Sequence, residues 1–214
     1  MNEKRKVFVT RMIIVILATI LMGFCLSFLL LIDLGTDPCT MMNNAISSKI
    51  GLSIGNWQAI FNVVLLVVVV AFGEKNLGIG TLANMFLVGY SIDFFTWLWK
   101  RLIPQEVFGI WYIRIIILIV AMVIFVLSAA VYMDVHMGVA PYDAIPVIIS
   151  SKLKKVPFKV IRIVFDLIVT LIGFVFGGSI EIITILMVLF LGPVISMVGA
   201  LGTKKFPKIF GEKY

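Results

Sequence analysis

The sequence predicts an all-α polytopic membrane protein. Six transmembrane helices form two inverted three-helix repeats, each with a short interfacial or re-entrant helix after its first span. Three observations predict this. Hydrophobic residues make up 62% of the chain and charged residues 14%, and the mean hydropathy is +1.16, too apolar for a soluble domain to cover itself with polar surface. Long apolar stretches recur along the chain. The chain also repeats itself, because Leu34 to Gly55 aligns with Met137 to Phe158 at a spacing of 103 residues. That alignment puts Gly35 on Gly138, Pro38 on Pro141, and Ser47, Ser48 and Lys49 on Ser150, Ser151 and Lys152. After a one-residue slip Phe61 and Asn62 meet Phe165 and Asp166, and Phe72 and Gly73 meet Phe176 and Gly177. Thr81 and Gly89 return to the first spacing, opposite Thr184 and Gly192.

The first span, Met12 to Ile32, follows Lys4, Arg5, Lys6 and Arg11. At about 21 residues it can cross a hydrocarbon core of about 30 Å, and it is too long for a signal-peptide core, so it is expected to be retained. The further spans are Trp57 to Phe72, Ile79 to Trp99, Trp111 to Met133, Val160 to Phe176 and Ile182 to Leu201. The chain, 1–214, is thus expected to be one integral membrane domain. Repeat 1 covers about 11–100, a linker with Pro104, Gln105 and Glu106 about 101–109, and repeat 2 about 110–203; a basic tail occupies 204–214.

Basic residues orient the spans. An inside N-terminus places fourteen of the eighteen Lys and Arg in the cytoplasm, leaving Lys49, Lys100, Arg101 and Arg114 outside. Both termini are therefore expected to be cytoplasmic. Because each repeat holds three spans, the second copy must enter the bilayer from the opposite side, as in many secondary transporters.

The paired breaks start short helices at about 38–50 and 141–153. Gly35 and Gly138 permit the backbone turn, while Pro38 and Pro141 suit a first helical position. Asp37 is placed to cap the first helix, and Asp143 falls in the first turn of the second, which also carries Pro146. In the first helix Met41, Met42, Ala45, Ile46 and Ile50 oppose Thr40, Asn43, Asn44, Ser47 and Ser48, an amphipathic pattern. Two arrangements fit: N-terminal amides, with Asn43 and Asn44, facing a cavity, or helices lying flat at the two surfaces with the aspartates serving only as caps.

Polar residues at depth supply the other candidates. Gly78 and Gly80 open the third span, Thr81 can cap it, and Asn84 and Asp93 lie within it. An ionisable group at Asp93 is costly against lipid and should face protein or water. Asn62 and Asp166 occupy aligned positions, and Asp166 can pair with Arg162 one turn earlier. The candidate solute-binding set is therefore Asp93, Asn84, Asn62, Asp166, Asn43, Asn44, Asp37 and Asp143. Gly89 and Gly192, with Gly173 and Gly177, are expected to permit close helix approach.

Other chemistries find no support. Cys25 and Cys39 are too few and too unlike in setting for a disulfide framework or metal site, and His136 reads as a solvated loop residue. Adjacent Ser and Lys on a helix do not face each other, so the repeated triplet is no catalytic dyad. There is no HExxH and no phosphate-cradling glycine loop, and no enzyme, cofactor or metal is expected. The net charge of +7 is assigned to topology rather than nucleic acid, and the C-terminal lysines to contact with anionic lipid.

The Gly, x, Asp, Pro break, the Ile54 to Trp57 segment and the Gly78, Gly80, Thr81, Asn84, Gly89, Asp93 pattern resemble the YczE/YyaS/YitT group of bacterial multi-pass membrane proteins, most nearly its YczE branch. The second copy departs from the pattern, with Glu181, Ile183 and Ser196 where Gly78, Gly80 and Asp93 would align. The resemblance implies a bacterial plasma-membrane location and brings no substrate with it. The expected function is a small-solute secondary transporter or permease working by alternating access between inverted repeats. Alternatives are a substrate-capturing subunit of a larger transporter and a non-transporting accessory or scaffold protein. Expected partners are the lipid bilayer and a small polar or anionic solute; a homodimer is compatible with the size, though no residue argues for it.

Overall fold

The computed structural model describes residues 3–72 and 77–205. Gly73, Lys75 and the tail from Phe206 onward lie outside the described residues. Those described form helices and no strand: α1 (Glu3–Ile32), α2 (Pro38–Ile50), α3 (Ile54–Ala71), α4 (Ile79–Ala83), α5 (Gly89–Leu102), α6 (Trp111–Asp134), α7 (Pro141–Lys152), α8 (Phe158–Val175) and α9 (Ile182–Lys205). A π-helical turn, Asn84–Val88, joins α4 to α5, and a 3-10 turn, Gln105–Gly109, stands before α6.

The short helices start and stop where their residues dictate. Gly35 and Gly138 hold φ of 106° and 125°, a region that costs glycine little. Pro38 and Pro141 then open α2 and α7. Asp37 caps α2 by accepting from the Thr40 amide at 3.1 Å, and Gly51, at φ 72°, closes it with its amide on the Ser47 carbonyl. The equivalent position before α7 is Ala140, which supplies no side-chain cap.

Four helical stretches are long and apolar enough to cross a membrane: Arg5–Ile32, Ile54–Ala71, Ile79–Leu102 and Trp111–Asp134. The six expected from sequence are thus met in part. Lys159, Arg162 and Asp166 make α8 too charged to count by composition, and Ile182–Val194 is a shorter apolar stretch of α9. Large aliphatic side chains such as Leu17, Val67, Ile119 and Val175 are exposed, a surface suited to lipid.

Inside, α1 packs along α6, and Cys25, Leu26, Leu29 and Ile32 of α1 form the main cluster with Val88, Ile92, Phe125 and Met187. Between helices in lipid the drive is close packing rather than the hydrophobic effect, so small residues matter. A Cβ added at Gly173 would lie 2.9 Å from the Met42 Cα, and one at Gly89 3.0 Å from the Gly55 Cα, so both glycines set close crossings. Gly192 does not: its added Cβ would meet nothing nearer than the Arg162 Cγ at 3.9 Å. Gly177 is likewise no packing residue but a turn at φ 98°, open on its Cβ side. The amphipathic pattern of α2 does not lay it on a surface, because Thr40, Asn43 and Ser47 are buried along with Met41, Met42 and Ile46.

Positions related by the sequence register have matching neighbours. Each short helix packs on spans of both halves, α2 on α8 and less on α3, and α7 on α3 and α8 alike. Gly35 lies against Glu181 and Thr184 at the start of α9, while Gly138 lies against Gly78 and Thr81 at the start of α4. Lys49 sits over the Phe176 ring and Lys152 over the Phe72 ring, at 5.5 and 4.0 Å. Each pair is the image of the other at spacings of 103 or 104 residues.

Candidate functional site

A cavity of about 140 Å³ is lined by residues of both halves. Both short helices present their N-terminal ends to it, α2 through Asp37, Cys39 and Thr40 and α7 through Ala140, Tyr142 and Asp143. From α3 come Gln58 and Asn62, from the π-helical turn Asn84 and Val88, from α8 Arg162 and from α9 Gly192. Leu26, Phe125 and Ala129 complete a largely apolar wall.

The second half contributes a closed ionic network. Arg162 gives Nη1 to Asp143 at 2.7 Å and Nε to Asp166 at 2.9 Å, and the Tyr142 hydroxyl donates to the other Asp166 oxygen at 2.7 Å. The guanidinium also lies over the Tyr142 ring, 5.5 Å from its centroid. Two carboxylates therefore share one cation in a largely buried place, and each member holds the others in register. The expected i,i+4 pairing of Arg162 with Asp166 is present, but the same arginine also ties α8 to α7.

The first half carries neutral groups at the matching positions. Extending the 104-residue spacing puts Gln58 on Arg162, as it puts Asn62 on Asp166. The 103-residue spacing puts Cys39 on Tyr142 and Thr40 on Asp143. Gln58 Oε1 is buried without a hydrogen-bond partner, and Asn62 Nδ2 reaches the Met85 carbonyl of the π-helical turn at 3.5 Å. Asp37 has used one oxygen as the α2 cap; its other, Oδ2, is buried without a hydrogen-bond partner. The Thr40 hydroxyl lies close to this carboxylate without completing a bond to Oδ2.

Of the residues singled out from sequence, the structure gathers Asp37, Asn62, Asn84 and Asp143 on the cavity, with Asp166 directly behind Tyr142 and Arg162. Asp93 is elsewhere. Its carboxylate accepts from the amides of Ile54 and Gly55, at 3.1 and 2.8 Å, and so sits on the N-terminus of α3, where a negative charge is favoured. Asn43 is fully buried, its amide donating to Cys39 Sγ at 3.3 Å. Asn44 lines a separate recess of about 470 Å³ with Asp33, Ser48 and Lys49. His136 is exposed in its loop. Among the described residues no group of three or more His, Cys, Asp or Glu side chains is placed to hold a metal ion.

The model of a family of unknown function, DUF6198, matches residues 9–200. The chain belongs to that family. It is similar to an uncharacterised protein of Haemophilus influenzae, 25% identical over 85% of this chain and 80% of the relative. It is also similar to the uncharacterised protein YyaS of Bacillus subtilis, 27% identical over 72% of this chain and 75% of YyaS. The uncharacterised membrane protein YczE of the same organism is 27% identical over 56% of this chain and 53% of YczE. YyaS and YczE are names the resemblance had implied. No solved structure matches the chain.

Within this DUF6198 chain, sequence reasoning passed over Gln58, Cys39, Tyr142 and Tyr132 as cavity residues. The signal for Gln58 was present, since it precedes Asn62 by four residues as Arg162 precedes Asp166. For Tyr132, whose hydroxyl donates to the Gly80 carbonyl at 3.3 Å, the sequence carries none beyond a tyrosine in an apolar helix.

Proposed function

We propose that this membrane protein is a small-solute secondary transporter working by alternating access. In this reading α1, α3, α4 with α5, α6, α8 and α9 are its six spans, and the halves are inverted in a bacterial plasma membrane with both termini cytoplasmic. The observation that carries the reading is a cavity lined at matched positions by both halves, with the starts of both short helices upon it. Discontinuous helices that end at a site between repeats are the usual construction of such transporters. The charges of α8 support it further. Arg162 and Asp166 are too costly to turn toward lipid, and here they face inward on a network that borders the cavity.

Cys39 lines the cavity and offers a test that needs no substrate. With Cys25 replaced by alanine, impermeant methanethiosulfonates of either charge are applied separately to right-side-out and inside-out vesicles. Alternating access expects Cys39 to react from both sides, with a Cys39→Ser control inert. Reaction from one side only, or from neither, would contradict it and favour a scaffold or accessory role.

A further inference from the structure

We propose that the cavity selects a small organic cation, a primary ammonium or guanidinium group on a short apolar body, and that Asp37 is its charge-recognising residue. The inference rests on the transport reading only for its role as substrate; the binding itself stands on the cavity. Helix N-termini alone favour an anion, because their free amides and dipole are positive. Here that preference is outweighed. Asp37, Asp143 and Asp166 set three carboxylates against the single guanidinium of Arg162, and that guanidinium already serves two of them. The group left over is Asp37.

Among the described residues that line the cavity, the buried side-chain atoms left unpaired are of one kind. Asp37 is 8% exposed and Gln58 6%, both line the cavity, and in each a buried oxygen, Oδ2 and Oε1, has no hydrogen-bond partner. Both atoms are acceptors. A buried acceptor left unmade costs stability, so a ligand bringing N–H donors to Asp37 Oδ2 would satisfy it while neutralising the carboxylate; Gln58 Oε1 lies toward Gly89, 3.1 Å from where a Cβ on that residue would stand. Neither a carboxylate nor a phosphate could do so. Met22, Leu26, Val88, Phe125 and Ala129 give the rest of the wall an apolar character suited to an alkyl body. Taking one water as about 10–15 Å³ of such space, 140 Å³ limits the solute to on the order of ten small groups.

The detergent-purified protein would be titrated in amine-free buffer with methylammonium, propylammonium and guanidinium, and with sodium acetate, sodium phosphate and sodium chloride, reading thermal stability and binding heat. The expected result is saturable stabilisation by the ammonium or guanidinium probes. Asp37→Asn should weaken it by about 10- to 100-fold, the loss of a hydrogen bond to a charged group. This variant keeps the cap on α2, since asparagine caps as well as aspartate, so its own unfolding temperature should stay near that of the parent. Saturable binding of acetate or phosphate without the cations, a response to sodium alone that Asp37→Asn removes, or no response to any probe would each overturn the cation assignment. If Cys39 still reacts from both sides of the membrane in those cases, the transport reading survives that failure.

Discussion

The starts of α2 and α7 occupy equivalent places in the sequence register and hold charge in opposite ways. At α2 the carboxylate precedes the helix, caps it with one oxygen and leaves the other unmade. At α7 the capping position is Ala140, and the carboxylate has moved into the first turn as Asp143, where Arg162 engages it. One turn along the facing spans the contrast recurs, Gln58 and Asn62 on α3 against Arg162 and Asp166 on α8. Positions matched in the sequence register thus share a helix start while their side-chain chemistry differs. The second half is fastened by its charges, and the first keeps a charge in reserve.

The largest expected effect comes from unfastening the second half. Arg162→Gln gives α8 the residue found at the matching place on α3 and leaves Asp143 and Asp166 buried without their cation. The expected loss of stability is about 3–5 kcal/mol, as for breaking a buried pair from one side. Adding Asp166→Asn, which completes the imitation of α3, should recover part of that loss, with a coupling of about 0.5–3 kcal/mol. Thermal unfolding in detergent of the two single variants and the double variant measures this. Strict additivity would mean that the network does not hold the half together.

A smaller effect separates Asp93 from Asp37. Asp93→Ala removes the acceptor from the Ile54 and Gly55 amides and should cost about 1–2 kcal/mol, the scale of a lost helix cap. Its affinity for ammonium probes, measured in the same titration, should stay within about twofold of the parent. A loss of affinity as large as that from Asp37→Asn would instead bring Asp93 into the site.

Asp93 also marks what the sequence could and could not disclose. The bounds of α2 were legible, because Pro38, Asp37 and Gly51 act on neighbours within a few residues. So was the pairing of Arg162 with Asp166, a local i,i+4 contact. The role of Asp93 was not, since the amides it caps lie 38 and 39 positions earlier, and a polar residue deep in a span reads the same whether it binds a solute or closes a helix end. Asp143 was placed in the first turn of α7, but its partner Arg162 stands 19 positions away on another helix. The sequence shows six apolar stretches, of which four coincide with helices long and apolar enough to cross, while Lys159, Arg162 and Asp166 put α8 outside that count.

Opposed insertion of the halves is the claim on which the shared cavity and its two-sided use depend. Leu52 and Lys155 test it best, as both are exposed and they stand at matching places in the α2–α3 and α7–α8 connections. Each would be replaced in turn by cysteine in a background lacking Cys25 and Cys39, and cells with an opened outer layer labelled with an impermeant maleimide. Labelling at Leu52→Cys with Lys155→Cys protected until the membrane is permeabilised is the expected result. Labelling at both before permeabilisation, or at Lys155→Cys alone, would contradict inverted halves and remove the basis for alternating access.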